Sequence, residues 1–105
     1  MDRRQSLALL AAAALVPGAR AQTAPNLNLV VPVPPGGSVD LTARLLGEHL
    51  PKTLKQNVVI ENKPGAGGRL SSEYVAKQPA DGYTVLVGAT GQMAIAAAIY
   101  PNLSY

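Results

Sequence analysis

Three glycine-rich segments, at residues 35–38, 65–68 and 88–91, contain the residue types best suited to binding chemistry, and each precedes a stretch with helical periodicity. The first N–H groups of a helix have no partner within it and carry about half a unit of positive charge. Glycine lets the backbone approach a ligand closely, and the hydroxyls of Ser38 and Thr90 add donors. In any one turn glycine could serve tight geometry alone, but three such turns favour the binding of an anion.

Other chemistries lack the residues that they need. The phosphate-loop pattern is absent, and residues 65–70 lack the third glycine of G-x-G-x-x-G. There is no G-x-S-x-G, and His49, the single histidine, is expected about 16 Å from Ser38 along one helix. The acidic residues are scattered without the spacing of metal ligands. We expect no catalytic residue, metal or cofactor, and no enzymatic activity; a fragment of a nucleotide- or phosphate-binding α/β enzyme is the alternative.

The elements that position these turns alternate between strand and helix. Apolar runs rich in β-branched residues at 27–31, 57–61 and 83–87 predict strands, and helices are expected over 38 to 50 or 54, 69–77 and 92–100. Strands and helices that alternate in this way are typical of βαβ units, so the fold class is α/β with a parallel sheet in a βαβαβα order. All three turns then lie at the carboxyl edge of the sheet, where such sheets bind ligands.

The first helix has two predicted features. Ser38 is expected to be its N-cap, and Asp40 in its first turn complements the helix dipole. Two rows of leucines, Leu41 and Leu45 beside Leu46, Leu50 and Leu54, form an apolar stripe that is expected to pack on the sheet.

Four further polar residues have two interpretations each. Arg69 is placed either to clamp a carboxylate bidentately or to lie on the surface as an ordinary arginine. Glu61 and Asn62, at a strand end, could reach the ligand crevice or cap the next turn. His49 is interpreted as a solvated or boundary residue rather than a ligand or base.

Charge and cysteine content exclude several classes of protein. The chain of 105 residues carries a formal net charge of +3, but beyond residue 21 six Lys and Arg residues face five Asp and Glu residues. No basic footprint for nucleic acid remains, so none is expected as a partner. Because the sequence has no cysteine, disulfide frameworks, thiolate zinc sites and cysteine nucleophiles are excluded.

The N-terminus has the pattern of a secretory signal peptide over residues 1–21. Charged residues 2–4 precede ten uninterrupted apolar residues, a Pro17-Gly18 breaker and an A-x-A site at 19–21. Ten apolar residues are too few to span a bilayer as a helix, which takes about 20. Residues 22–105 are therefore expected to be exported to the periplasm, through the Sec route ahead of the twin-arginine route that Arg3-Arg4 leaves open.

Three ordered motifs resemble those of a known family. VVPVPPGGSVD at 30–40, VVIENKPGAGG at 58–68 and DGYTVL at 81–86 look like the N-terminal signature of the tripartite tricarboxylate transporter solute receptors, the Bug or TctC-like periplasmic binding proteins. Val33 stands where many members have Phe. Members are much longer chains, so the resemblance implies that residues 22–105 are the N-terminal part of the first lobe of a two-lobed, type II-like periplasmic binding protein, without the rest of that lobe or the second lobe.

The resemblance also implies function and site. It implies a receptor that closes on a small organic di- or tricarboxylate or an acidic amino acid and delivers it to the membrane permease of a tripartite transporter; a ligand sensor for a membrane kinase is an alternative. In the family the first and second turns hold the ligand carboxylate, partly through backbone N–H groups and bridging waters, and a segment similar to the third turn also lines the cleft. The matching positions are Pro35, Gly36, Gly37, Ser38 and Asp40 in the first turn, Ala66, Gly67 and Gly68 in the second, and Thr90 and Gly91 in the third.

Overall fold

A computed structural model of the protein describes residues 24–105. The predicted signal peptide lies outside the described residues. The described elements, in chain order, are β1 (Leu27–Val31), α1 (Ser38–Leu54), β2 (Val58–Asn62), a 3-10 turn (Ala66–Gly68), α2 (Arg69–Ala76), β3 (Thr84–Leu86), a π-helical turn (Gly91–Ile95) and α3 (Ala96–Ile99). The predicted alternation of strand and helix is confirmed, with boundaries that differ by one or two residues. No helix within residues 24–105 is both long enough and apolar enough to cross a bilayer.

The three strands form one parallel sheet in the order β2-β1-β3. Leu29 on β1 pairs with Ile60 on β2 and with Val85 on β3. The core is centred on β1, where Leu29, Val30 and Val31 are buried. The first turn, which follows β1, therefore lies between the turns that follow β2 and β3.

Helices α1 and α2 cover opposite faces of this sheet. The crossover from β1 to β2 runs one way and the crossover from β2 to β3 runs back across β1, and right-handed crossovers in opposite directions place their helices on opposite faces. A β-carbon at Gly47 of α1 would lie 3.2 Å from Cδ1 of Ile60. The hydroxyl of Tyr74 on α2 donates to Oε2 of the neighbouring Glu61 at 3.5 Å. Because neighbouring side chains of a strand point to opposite faces, these contacts confirm the arrangement.

The leucine stripe of α1 does not pack on the sheet as predicted: of its five leucines only Leu50 is half-buried, and Leu41, Leu45, Leu46 and Leu54 are exposed. Ala43 is fully buried and Gly47 approaches Ile60, whereas Leu41 and Leu45 are 56% and 60% exposed. Residues 40, 43 and 47 recur at intervals of three and four, so they share one face of the helix. Small residues there let the helix axis approach the strands closely, and the leucines other than Leu50 are rotated away from the sheet.

The start of α1 also differs from the prediction. Gly37 occupies the N-cap with extended backbone angles and Ser38 is the first helical residue, so no side chain caps the helix. The Ser38 carbonyl oxygen accepts a 3.0 Å hydrogen bond from the hydroxyl of Thr42. At the other end the helix continues through Pro51 to Leu54.

Candidate functional site

The buried carboxylate of Asp40 holds the first glycine-rich turn in place through hydrogen bonds. Its side chain is only 1% exposed, and three donors surround it. Oδ2 accepts hydrogen bonds from the Gly36 backbone N–H at 2.9 Å and from Nε of Arg44 at 2.8 Å. Oδ1 accepts a hydrogen bond from Nδ2 of Asn62 at 2.7 Å. Both carboxylate oxygens are therefore engaged within the protein.

These contacts determine the ionisation of Asp40. The hydrogen bond from Arg44 lowers the pKa of the carboxyl most, and the bonds from Asn62 and from the Gly36 N–H lower it further, to about 2 from an ordinary 3.8. Burial opposes the shift. Arg44, whose pKa the Asp40 carboxylate raises in turn, compensates the negative charge. Asp40 thus anchors the turn without presenting an uncompensated negative charge above it.

Asn62 joins the end of β2 to the same turn. Its Nδ2 donates to the Val33 carbonyl oxygen at 3.0 Å as well as to Asp40. Glu61 instead turns to Lys63, whose Nζ lies 3.0 Å from its Oε1. Asn62 and Glu61 are expected from the sequence either to reach the ligand crevice or to cap the turn that follows β2. Neither interpretation describes Asn62, which instead holds the glycine-rich turn that follows the neighbouring strand β1.

A crevice of about 230 Å³ opens between the start of α1 and the end of β3. The crossover from β1 to β2 and the crossover from β2 to β3 run in opposite directions, and the crevice lies at the carboxyl edge beside the central strand, the edge where open α/β sheets bind their ligands. The backbone N–H groups of Ser38 and Val39 meet no backbone acceptor among residues 24–105. We call this space the first crevice; it is lined by Ser38, Val39, Thr42, Val87 and Gly88.

The second turn is built from left-handed backbone. Gly65, Ala66, Gly67 and Gly68 all have positive φ, at 136°, 48°, 64° and 89°. The N–H of Gly68 donates back to the Gly65 carbonyl oxygen at 2.9 Å. Three of the four are glycines, which adopt such angles without the steric cost that Ala66 incurs. The turn leads directly into α2 and brings its backbone to the sheet edge.

Gly68 also makes room for a buried side chain from the third turn. Gln92 is 2% exposed, and a β-carbon at Gly68 would collide with its amide. The same β-carbon would lie 3.3 Å from Cβ of Pro32, so Gln92 reaches the place where the first and second turns meet. The Gln92 amide nitrogen has no hydrogen-bond partner within residues 24–105. Gln92 is not among the site residues predicted from the sequence.

A second pocket, of about 170 Å³, lies between the second turn and the C-terminal helical segment. We call it the second pocket. Among the predicted site residues it is lined by Ala66, Gly67 and Gly91. Arg69 and Tyr100 also line it, and the guanidinium carbon of Arg69 lies 4.3 Å from the centre of the Tyr100 ring.

The structure distributes the predicted site residues over these features. Ser38 lines the first crevice, whereas Thr90 is exposed, makes no capping bond and lines neither pocket. Pro35, Gly36 and Gly37 form the turn before α1, with the Gly36 N–H committed to Asp40. Gly68 and Asp40 are buried. The ten residues therefore do not form one continuous lining.

Several residues that line the first crevice or the second pocket are not among the predicted site residues. Thr42 lies one helical turn after Ser38, on the same face, which the spacing of four could have shown. Val87 and Gly88 directly follow β3 at the carboxyl edge. Tyr100 contacts Arg69 across 31 positions of sequence, and no local pattern predicts that contact. In the part of the chain that the structure describes, no three acidic or histidine side chains group together as metal ligands.

Comparison with known proteins relates the chain to one family. The family model of the tripartite tricarboxylate transporter family receptor (TctC) matches residues 42–105. A curated relative from Pseudomonas sp. (strain P51), the UPF0065 protein in the tcbD-tcbE intergenic region, is 38% identical over 110 residues. That match covers all of this chain and 32% of the relative, so the chain spans about a third of its length.

Two solved structures from Rhodopseudomonas palustris are similar in fold and sequence. MatC, determined with bound malate, is 42% identical with a TM-score of 0.71, over 76% of this chain and 27% of that protein. Rpa4515, determined with adipate, is 37% identical with a TM-score of 0.65, over 76% of this chain and 27% of that protein.

Proposed function

The chain belongs to the family of tripartite tricarboxylate transporter receptors, TctC, and from this premise we propose that it binds a small organic carboxylate as part of a solute receptor. The receptor has no catalytic role in this proposal. The malate and adipate of the two similar structures are carboxylates of the proposed class.

The observation that carries this proposal is the first crevice. It lies at the carboxyl edge beside the central strand, and it combines the N–H groups of Ser38 and Val39 with the Ser38 hydroxyl, whereas the Thr42 hydroxyl already donates to the Ser38 carbonyl oxygen. The positive end of the α1 dipole faces the same place. Such a group of donors suits a carboxylate, which only accepts hydrogen bonds when ionised.

The electrostatics around the crevice favour an anion. Asp40 lies in the first turn of α1, but Arg44 compensates its charge and both of its oxygens accept hydrogen bonds within the protein. Glu61 is likewise paired with Lys63. An incoming carboxylate therefore meets donors without an uncompensated negative charge in the first turn of α1.

We also propose that the receptor acts in the periplasm and delivers its ligand to a membrane permease. The receptor would reach the periplasm through the signal peptide predicted at residues 1–21 and pass its ligand to the membrane permease of a tripartite transporter. The TctC family supports this role, and the A-x-A site at residues 19–21 supports export.

The affinity expected for this chain is low. A helix N-terminus contributes about 0.3 to 2 kcal/mol to anion binding, and a dissociation constant of 1 mM corresponds to about 4 kcal/mol. Only the α1 N-terminus faces the first crevice, and together with charge-assisted hydrogen bonds of about 1.5 to 3 kcal/mol each it supports binding in the millimolar range at best. In the proposal, the part of the longer relatives that this chain does not span encloses the ligand and strengthens binding.

The test is a binding titration of the full chain with malate, adipate and ATP. We expect saturable binding of the carboxylates and none of ATP. Ser38→Ala should weaken carboxylate binding by about fivefold, since one hydroxyl contact contributes about 0.5 to 1.5 kcal/mol. Thr53→Val is the matched control, because Thr53 is exposed at the far end of the same helix. ATP binding without carboxylate binding would refute the proposal in favour of a nucleotide-binding protein.

A further inference from the structure

Arg69 stands apart from the other cations near the carboxyl edge of the sheet. Nε of Arg44 lies 2.8 Å from the Asp40 carboxylate, and Nζ of Lys63 lies 3.0 Å from that of Glu61. Within residues 24–105 no carboxylate pairs with Arg69, and its Nε is buried without a hydrogen-bond partner. A buried donor left unpaired is destabilising, so this guanidinium favours an acceptor from outside the described chain.

The position of Arg69 is held by an aromatic ring. The guanidinium carbon lies 4.3 Å from the centre of the Tyr100 ring, a cation–π contact. The contact joins the start of α2 to the end of α3. It holds the fork of donors at the second pocket, so little side-chain freedom remains to be lost when a ligand binds.

The second pocket combines this cation with apolar walls. Ile95, Ala96 and Ile99 form one side, and Ala66 and Gly67 bring backbone to the other. A carboxylate alone would leave the isoleucines uncovered, whereas an aliphatic chain would contact them. The lining is therefore complementary to a ligand with an acidic head and a methylene chain.

Gln92 provides a second unpaired donor close to this turn. Gln92 is only 2% exposed, and its amide packs against Gly68, the last residue of the second turn. Its Nε2 has no partner in the described part of the chain. Two side chains from different elements thus hold unpaired donors at one turn, in contrast to the satisfied network around Asp40.

We infer that Arg69 and Tyr100 form a second carboxylate subsite, in which the Arg69 guanidinium binds the acidic end of an aliphatic carboxylate and the isoleucines contact its methylene chain. The inference rests on the proposed function, because it assigns a second anchoring point for the same class of ligand. It names Arg69 as a residue that selects ligands with an alkyl chain, such as adipate, over short hydroxylated ones, such as malate.

The test uses the arginine Nε–H resonances of the full chain, labelled with ¹⁵N, during titration with adipate. The Arg69 Nε–H, assigned by its loss in Arg69→Gln, should shift saturably, while the Arg44 Nε–H stays still because Asp40 already occupies it. Adipamide, which has the same chain length without charge, should leave both resonances unmoved.

Three variants separate specific binding from attraction by net charge. Arg69→Gln should weaken adipate binding by about tenfold, since charge-assisted contacts are the stronger kind, and malate binding by less than about twofold. Lys52→Gln removes the same unit of charge from an exposed position in α1 and should change neither affinity. Tyr100→Leu keeps the charge of Arg69 and should still reduce the adipate shift, because the guanidinium loses its ring.

The outcomes distinguish the inference from the proposed function. The backbone amide resonances of Ser38 and Val39 report on binding at the first crevice. If they shift while the Arg69 Nε–H resonance does not, the second subsite is refuted and the proposed function stands. A shift at Arg69 without one at Ser38 would support the subsite and refute the first crevice. No shift at either position up to tens of millimolar adipate, roughly tenfold above a millimolar constant, would overturn both.

Discussion

Nδ2 of Asn62 donates a 2.7 Å hydrogen bond to Oδ1 of Asp40, across 22 positions of sequence. The bond ties the end of β2 to the first turn of α1. The same carboxylate holds the Gly36 N–H, so one buried acid fixes the turn that follows the central strand. The Asp40 carboxylate thereby positions the donors of the first crevice, although it does not itself face the ligand.

This arrangement predicts how stability depends on pH. The pKa of Asp40 falls from 3.8 to about 2 on folding, so the folded state favours the ionised carboxylate. The stability from this group is present above about pH 4 and is lost as the pH falls through about 2. Urea unfolding across that range should show the free energy of unfolding decreasing with falling pH.

Asp40→Asn tests the assignment of this effect. The variant should be less stable at neutral pH, because an amide cannot accept from all three donors, and its pH dependence over the same range should be flatter. Asp81→Asn is the control, since Asp81 accepts only from the Tyr83 N–H in an exposed turn. Equal flattening in both variants would contradict the role of Asp40.

A second prediction concerns the contact between Gly68 and Gln92. Gly67→Ala and Gly68→Ala both place a side chain at positive φ, but only at Gly68 would the new methyl collide with the Gln92 amide. Gly68→Ala should therefore lower the free energy of unfolding by about 1 to 3 kcal/mol more than Gly67→Ala, the range of overpacked sites. Denaturant unfolding of both variants provides the measurement.

The double variant Gly68→Ala/Gln92→Ala locates the cause of that difference. Removing the glutamine side chain opens space for the new methyl, so part of the lost stability should return. If the losses of unfolding free energy in the two single variants simply add in the double variant, the Gln92 amide is not what the Gly68→Ala methyl collides with.

A third prediction follows from the orientation of α1. Leu45 is 60% exposed, so Leu45→Gln should change the free energy of unfolding by less than about 0.5 kcal/mol. Ala43 is fully buried against the sheet, so Ala43→Val should destabilise the chain by about 1 to 3 kcal/mol. The reverse order of the two effects would mean that the leucines face the core.

The backbone plan was predictable from the sequence because it depends on local signals. Apolar runs rich in β-branched residues indicated the strands, and glycine-rich turns before helical stretches placed the binding edge. Periodicity also identified the leucines of α1 as an apolar face. It could not show which face meets the sheet, because close packing at Ala43 and Gly47 depends on small residues that add little to an apolar pattern.

The site was predictable only where neighbours in sequence define it. Ser38 was found because it follows the first turn, but its predicted capping bond does not form, since Gly37 already has the extended backbone of an N-cap. The pairs Asp40–Asn62, Gly68–Gln92 and Arg69–Tyr100 join elements that are distant in sequence. Such contacts follow from the sheet order β2-β1-β3, which local patterns do not determine.

The most direct test of carboxylate binding at the carboxyl edge is a backbone ¹⁵N chemical-shift map of the chain titrated with malate. We predict the largest shifts at the lining of the first crevice, Ser38, Val39, Thr42, Val87 and Gly88. Lys52 and Lys55, at the opposite end of α1, should not move. Shifts confined to those lysines would show only general attraction of an anion to surface cations and would contradict a carboxylate site at this edge.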